Sequence, residues 1–165
     1  MNTQGLNLFI VDDNQIMATQ LRNYLENKFG VSLIISTFFT GESALKKIDE
    51  HTDIVILDYH LKGENGNDVL VAIKTINPKT EVIMLSSNED IAIAIESFRN
   101  GAADYVIKGR NSLSKIYSVV YNIISYPLRH MVREWGFSRY FAIFILTFSM
   151  MGIIVLFIVK YVPFT

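Results

Sequence analysis

The stretch DIVILDYHLKG, residues 53–63, contains a short apolar strand that ends on an acid. Ile54 to Leu57 are four consecutive apolar residues, a pattern typical of a strand that is covered on both faces. The strand then stops at Asp58 and not at a turn residue. A carboxylate in that position indicates that the fold brings other charges to the same place.

On both sides of this strand, segments with strand character alternate with segments of helical period. This alternation predicts an α/β domain, a (βα)5 doubly wound parallel sheet with helices on both faces. Right-handed crossovers favour the flavodoxin-like strand order 2-1-3-4-5, whose working crevice lies beyond the carboxyl ends of the strands. The predicted strands are Leu6–Val11, Val31–Phe39, Ile54–Asp58, Glu81–Ser86 and Tyr105–Lys108, and the predicted helices are Asn14–Phe29, Glu42–Glu50, Asp68–Ile76, Glu89–Arg99 and Ser112–Tyr126.

Charged and polar side chains collect where the predicted strands end. They are Asp12 and Asp13 after the first strand, Asp58 on the third, Ser86 on the fourth and Lys108 on the fifth. Three carboxylates in one crevice repel each other unless a cation intervenes, and a cluster of hard oxygen ligands suits Mg²⁺. Asp58 is therefore predicted to be a nucleophile, with Lys108 facing an incoming phosphoryl group and Ser86 offering its hydroxyl to the phosphoryl oxygens.

Over roughly residues 5 to 126 the chain resembles the receiver domain of response regulators. The pieces that carry the resemblance are FIVDDNQ, VILDYHLKGENG, VIMLSS and GAADYVIKG, which follow one another in the family's order and spacing. The resemblance implies that a histidine kinase or a phosphotransfer protein supplies a phosphoryl group to Asp58. The Mg²⁺ ligands that it implies are Asp12, Asp13, Asp58 and the backbone carbonyl of His60.

The resemblance also implies a switch, in which the hydroxyl of Ser86 moves toward the phosphoryl group and the ring of Tyr105 then turns inward. Two positions depart from the family. Lys62 stands four residues after the acceptor, where the family usually has proline, and Gly109 stands where a proline usually follows the lysine. Neither residue takes part in the phosphoryl chemistry, so we expect activity with altered loop dynamics.

Simpler explanations exist for each site residue taken alone. Asp12 and Asp13 could cap the first helix, Lys108 could be a solvated surface lysine, and Tyr105 could be ordinary strand packing. Their coupling at one sheet edge favours the functional interpretation. A flavodoxin shares the fold, but its first loop must cradle a phosphate, which an Asp-Asp-Asn sequence repels.

The C-terminal part of the chain has a different composition. Residues 140–159, YFAIFILTFSMMGIIVLFIV, are 20 residues without a charge, and a helix of that length spans about 30 Å, the thickness of a bilayer's hydrocarbon core. We therefore predict a receiver domain at 1–126, a basic amphipathic juxtamembrane linker at 127–139, a transmembrane α-helix at 140–160 and a short external tail at 161–165.

The bases that flank this segment predict its orientation. Arg129, Arg133 and Arg139 precede it and only Lys160 follows it, so the N-terminal domain should face the cytoplasm of a bacterial inner membrane. The linker could be a helix that lies on anionic membrane lipid, or it could simply continue the fifth helix into the membrane. Pro127 and Gly136 are compatible with breaks on either side of the linker.

Charge and composition narrow the partners. The chain up to Tyr126 carries 15 acids and 11 bases, a net charge of −4, which disfavours nucleic acid as a partner. The sequence has no cysteine, so disulfides and thiolate metal sites are excluded. It also shows no secretory signal pattern at its N-terminus.

Two functions of different classes fit these features. The first is a membrane-tethered single-domain response regulator, without an output domain, that signals by contact with a membrane protein or complex. Its only enzymatic chemistry would be self-phosphorylation and autodephosphorylation on aspartate. The alternative is a structural or adaptor subunit of a membrane complex that uses the receiver fold for docking, with phosphorylation incidental.

Overall fold

The chain divides into two compact units between Ile123 and Ile124. The computed structural model describes residues 5–87, 91–134, 144 and 146–151, except for the side chains of residues 126–134. The first unit contains the sheet and the charged and polar residues that the sequence places at its edge.

Seven strands lie within the described residues. They are β1 (Leu6–Val11), β2 (Leu33–Phe38), β3 (Thr52–Asp58), β4 (His60–Leu61), β5 (Glu64–Asn65), β6 (Glu81–Ser86) and β7 (Asp104–Ile107). Five of them form one parallel sheet in the order β2–β1–β3–β6–β7, while β4 and β5 form a separate antiparallel hairpin. The sheet confirms the predicted α/β class and the predicted flavodoxin-like order, because β6 and β7 are its fourth and fifth strands.

Helices alternate with these strands along the chain, and the last numbered helix follows β7. They are α1 (Gln15–Phe29), α2 (Gly41–Leu45), α3 (Gly66–Ile76), α4 (Ile91–Arg99) and α5 (Ser112–Glu134). The predicted start of the fourth helix at Glu89 lies outside the described residues. Asn14 caps α1, since its side chain accepts the backbone N–H groups of Ile16 and Met17, each at 3.1 Å.

The second helix is shorter than predicted. The sequence favoured a helix over Glu42–Glu50, but α2 ends at Leu45. The carboxylate of Asp49 accepts the N–H of His51 at 3.0 Å and the hydroxyl of Thr52 at 3.1 Å. Such local side-chain bonds offer the backbone an alternative to the helix, so the chain turns here instead.

The fifth helix is longer than predicted. Its predicted end at Tyr126 is wrong, because the helical backbone continues through Pro127 to Glu134. A proline inside a helix removes one backbone hydrogen bond and crowds the preceding turn, which destabilises the helix locally without necessarily ending it.

The central strand β3 is buried on both faces, as its apolar run predicts. Ile54 to Leu57 are at most 1% exposed, between β1 on one side and β6 on the other. Asp58 ends this strand and is itself only 3% exposed. The fold therefore places the acid at the carboxyl edge of the sheet, inside the protein and not in open solvent.

The predicted transmembrane segment 140–160 and tail 161–165 lie almost wholly outside the described residues. In that part of the chain, Phe144 and Leu146–Met151 are helical. None of the helices in the described ranges combines the length and the hydropathy that crossing a bilayer requires.

Candidate functional site

Three charged side chains meet at the carboxyl edge of the sheet. Asp12 directly follows β1, Asp58 ends β3 and Lys108 directly follows β7, so parallel strands deliver all three to one edge. The ammonium group of Lys108 lies 2.7 Å from Oδ2 of Asp58 and 2.9 Å from Oδ2 of Asp12. Asp12 and Asp58 are 2% and 3% exposed, so one lysine bridges two buried carboxylates.

A third carboxylate completes the cluster. Asp13 is exposed, and one oxygen from each of Asp12, Asp13 and Asp58 lies within 4.8 Å of the others. With Lys108 counted, the ionised cluster carries a net charge of about two negative units, which a single divalent cation would neutralise. Because every donor is a carboxylate oxygen, the set fits Mg²⁺.

Burial dominates the electrostatics of Asp58. Burial raises the pKa of this carboxyl above its ordinary value, and the nearby charge of Asp12 acts in the same direction. The hydrogen bond and positive charge of Lys108, together with the N–H of His60, only partly offset the effect. The carboxylate is therefore held in a site that does not fully stabilise its charge, as expected of a reactive group.

Lys108 shows the complementary behaviour. Burial alone would lower the pKa of its ammonium group, but the hydrogen bonds and charges of Asp58 and Asp12 outweigh burial and raise it. Lys108 therefore keeps its positive charge at neutral pH, beside the oxygen atoms where negative charge would build up during transfer of an anionic group.

Backbone groups hold the two buried acids in place. The N–H of Asn14 donates to Oδ1 of Asp12 at 2.9 Å, and the N–H of His60 donates to Oδ1 of Asp58 at 3.2 Å. Asn14 and the His60 N–H were not singled out in the sequence as partners of the acids. The preference of Asn for helix N-caps is the signal that could have found Asn14. The predicted role of the His60 carbonyl as a metal ligand stays a prediction.

The structure places Ser86 and Tyr105 near this edge on neighbouring strands. Ser86 ends β6 and is fully buried, and its carbonyl accepts the N–H of Lys108 at 2.7 Å. Tyr105 lies on β7 beside Met84 and is half-buried against the core. Their predicted roles as a switch pair remain predictions.

A hairpin beside the acceptor position is a feature that the sequence analysis missed. Strands β4 and β5 pair His60 with Asn65 and Leu61 with Glu64, directly after Asp58. The carboxylate of Glu64 accepts the N–H groups of Gly41 and Glu42 at the start of α2, at 2.6 and 3.2 Å. No sequence signal links positions more than 20 residues apart in this way, because only the fold brings them together.

Comparisons with known proteins agree with this geometry. The model of the response regulator receiver domain family matches residues 8–119. Transcriptional regulatory protein MalR of Bacillus subtilis is 32% identical over 106 residues, which are 62% of this chain and 44% of that protein. The chain spans less than half the length of the curated relatives it matches.

Solved structures share the fold. The BeF3-activated receiver domain of DrrB is 28% identical, with a TM-score of 0.61 over 71% of this chain and 98% of that one. A CheX–CheY–BeF3–Mg²⁺ complex from Borrelia burgdorferi contains a chain that is 25% identical, with a TM-score of 0.65 over 72% of this chain and 89% of that one.

Proposed function

Because this chain belongs to the response regulator receiver domain family, we propose that it accepts a phosphoryl group on Asp58. Receiver domains are phosphorylated by histidine kinases in two-component signalling, and a kinase or a phosphotransfer protein would be the donor here. Asp12, Asp13, Asp58 and the carbonyl of His60 would hold Mg²⁺, while Lys108 and Ser86 would contact the phosphoryl group.

The observation that carries this proposal is the Lys108 bridge. A single ammonium group lies within 3 Å of two buried carboxylates while a third carboxylate stands beside them at the surface. A purely structural ion pair needs one acid, and a second buried acid on the same lysine adds its own desolvation cost and repels the first acid. Excess negative charge near an opening is instead what a site for a cation and an anionic group requires.

The transfer step follows from these contacts. A carboxylate oxygen of Asp58 attacks the phosphorus atom of the donor and forms an O–P bond. The bond from phosphorus to the imidazole nitrogen of a phosphohistidine breaks, and its electron pair returns to that nitrogen. Lys108 stabilises the charge on the phosphoryl oxygens, and later attack of water releases inorganic phosphate and restores the carboxylate.

When bound, Mg²⁺ would supply electrostatic stabilisation of the phosphoryl oxygens. The N–H of Asn14 donates to Oδ1 of Asp12 and would hold this carboxylate in place for the metal. Asp58 would be held at Oδ1 by the N–H of His60.

The direct test is the intact mass of the full chain after incubation with acetyl phosphate and MgCl₂. We expect the mass of one added phosphoryl group, which disappears when Mg²⁺ is removed and in Asp58→Ala. The matched control is Asp68→Asn, which changes an exposed aspartate at the start of α3 and should leave the uptake unchanged. Neither uptake nor Mg²⁺ binding by a folded wild-type chain would refute the proposal and favour a docking or adaptor role.

We also propose that the chain is tethered to a bacterial inner membrane, with the receiver domain in the cytoplasm. The uncharged stretch 140–159 supports this, together with the basic residues before it. Phe144, Leu146, Phe148 and Met150 are helical and each more than half exposed. Output would then be contact with a membrane-associated protein, and the basic linker 127–139 would contact anionic lipid.

Flotation of the full chain with vesicles tests the tether. We expect the wild-type chain to stay with phosphatidylcholine–phosphatidylglycerol vesicles through a wash at high salt, because burial of apolar residues is insensitive to screening. Ile154→Arg, which places a charge in the stretch, should reduce the bound fraction, whereas Val31→Arg, an exposed residue of the receiver domain, should not. Release of the wild-type chain by salt alone would contradict the tether.

A further inference from the structure

The hairpin of β4 and β5 leaves the acceptor residue and returns onto it. His60 follows Asp58 by two residues. Gly66 is the residue directly after the hairpin, and its N–H donates to the carbonyl of Tyr59, the residue directly before the hairpin, at 2.9 Å. A Cβ on Gly66 would lie 2.6 Å from the carbonyl oxygen of Asp58, so only glycine allows this approach. Because His60 is the first residue of the hairpin, any contact that fixes the hairpin also fixes the backbone of His60.

The turn of this hairpin lacks the proline that would stiffen it. Lys62 and Gly63 connect its two strands, and Gly63 has a φ of +80°, the value of the third residue of a type II turn. Proline is favoured at the preceding position of such a turn, where it restricts the backbone, but this chain has lysine there.

A tertiary contact supplies the restraint that the turn lacks. The half-buried carboxylate of Glu64 accepts the N–H of Gly41 at 2.6 Å and that of Glu42 at 3.2 Å, which joins the hairpin to the start of α2. These are charge-assisted bonds, which are stronger than neutral ones. Gly41 is needed for the approach, because a Cβ there would collide with the Glu64 carboxylate and with Val69.

We propose that Glu64 is a positioning residue for phosphoryl transfer, acting through the hairpin to hold the backbone of His60 against Asp58. This inference rests on the proposed function. The His60 N–H already donates to Oδ1 of Asp58, and the His60 carbonyl is the ligand that the family resemblance adds to the metal site. Glu64 itself touches none of the reacting atoms.

The experiment compares the wild-type full chain with Glu64→Ala, Glu64→Gln and Glu42→Gln. Glu64→Gln keeps one acceptor oxygen and loses the charge. Glu42→Gln is the matched control, because it removes a nearby exposed carboxylate that pairs only with Lys46 among the described contacts and lies outside the site. Three quantities are measured: hydrogen exchange in peptides covering 41–45 and 59–66, Mg²⁺ affinity by calorimetry with MgCl₂ alone, and the rate of phosphoryl uptake from acetyl phosphate.

For Glu64→Ala we expect faster exchange in both peptides, Mg²⁺ affinity lower by about tenfold and a comparable fall in the uptake rate, the usual effect of losing a residue that orients a metal ligand. Glu64→Gln should lose less Mg²⁺ affinity and less of the uptake rate than Glu64→Ala, and Glu42→Gln should match the wild type in both. If Glu64→Ala is unfolded, the same order between Glu64→Gln and Glu42→Gln decides the question.

Faster exchange confined to 41–45, with Mg²⁺ affinity unchanged, would overturn the proposal and reduce Glu64 to a cap of α2. Equal losses of Mg²⁺ affinity and uptake rate in Glu64→Gln and Glu42→Gln would also overturn it, since the removal of one negative charge near the site would then explain both. If the wild-type chain takes up no phosphoryl group, the proposed function fails, but exchange in 59–66 and Mg²⁺ affinity still decide whether Glu64 holds the hairpin.

Discussion

The two ends of the central strand β3 are both buried and polar, but their polar groups behave differently. At the amino end, the side-chain amide of Asn77 donates to the carbonyls of Asp49 and Thr52, at 3.0 and 3.3 Å, and the hydroxyl of Thr80 donates to Thr52 at 2.8 Å. These groups are neutral and their hydrogen bonds are made to one another, while the one carboxylate beside them, that of the exposed Asp49, accepts the hydroxyl of Thr52. Such a network stabilises the fold and leaves little capacity for a ligand.

At the carboxyl end, the polar groups are hydrogen-bonded, but their charges do not balance one another. Asp12 and Asp58 share the single ammonium group of Lys108, and Asp13 adds a further negative charge at the surface. The comparison teaches that burial of polar groups does not itself mark a site. What marks it is a charge that its neighbours leave uncompensated, at the sheet edge where this fold leaves an opening.

The largest expected effect is at the carboxyl end. Lys108→Ala should lower the rate of phosphoryl uptake from acetyl phosphate roughly 100-fold, because a positioned cation next to developing charge is worth that much. The rate is read from intact mass against time, with Lys115→Ala, an exposed lysine on α5, as the control. A change of less than about threefold would show that the lysine is structural and that the two ends are alike.

An intermediate effect is expected at the amino end. Asn77→Ala should lower the free energy of unfolding by about 2 kcal/mol, because a buried side chain loses the two hydrogen bonds that it donates to the carbonyls of Asp49 and Thr52. Urea unfolding measures this change, and the exposed neighbour variant Lys79→Ala should unfold like the wild type. The uptake rate of folded Asn77→Ala should equal that of the wild type, and a slower rate would break the separation between the two ends.

The smallest expected effect is a pH dependence of stability. Since the pKa of Asp58 is raised in the folded state, ionising this acid costs more in the fold than in the unfolded chain, and the wild type loses stability as the pH rises through the folded pKa. Asp58→Asn cannot ionise, so without divalent cations we expect it to be more stable than the wild type at neutral pH, by a smaller margin than the loss in Asn77→Ala.

This difference should shrink as the pH falls toward the ordinary pKa of aspartate, about 3.9, because the wild-type carboxyl is then protonated in both states. Urea unfolding of both proteins between pH 3 and pH 8 gives the comparison. If instead the wild type gains stability over Asp58→Asn with rising pH, Lys108 fully compensates the charge of Asp58. The polar groups at the two ends of the strand would then be equally well satisfied.

Much of the fold could be predicted because its signals are local. Four apolar residues before Asp58 indicate a covered strand, and the alternation of strand and helix periods leaves few topologies. The strand order is confirmed, as is the family. The predicted ends of two helices were wrong, since Asp49 turns the chain after α2 and Pro127 does not stop α5.

The sequence by itself determined which residues could carry the chemistry, because parallel strands must deliver their carboxyl ends to one edge. Only the tertiary structure decided that Lys108 lies within 3 Å of Asp12 and Asp58, and that burial raises the pKa of Asp58. The hydrogen bond from the N–H of Gly41 to the Glu64 carboxylate is likewise decided only by the tertiary structure. Distances and desolvation depend on residues far apart in the chain, so they exist only once the chain has packed.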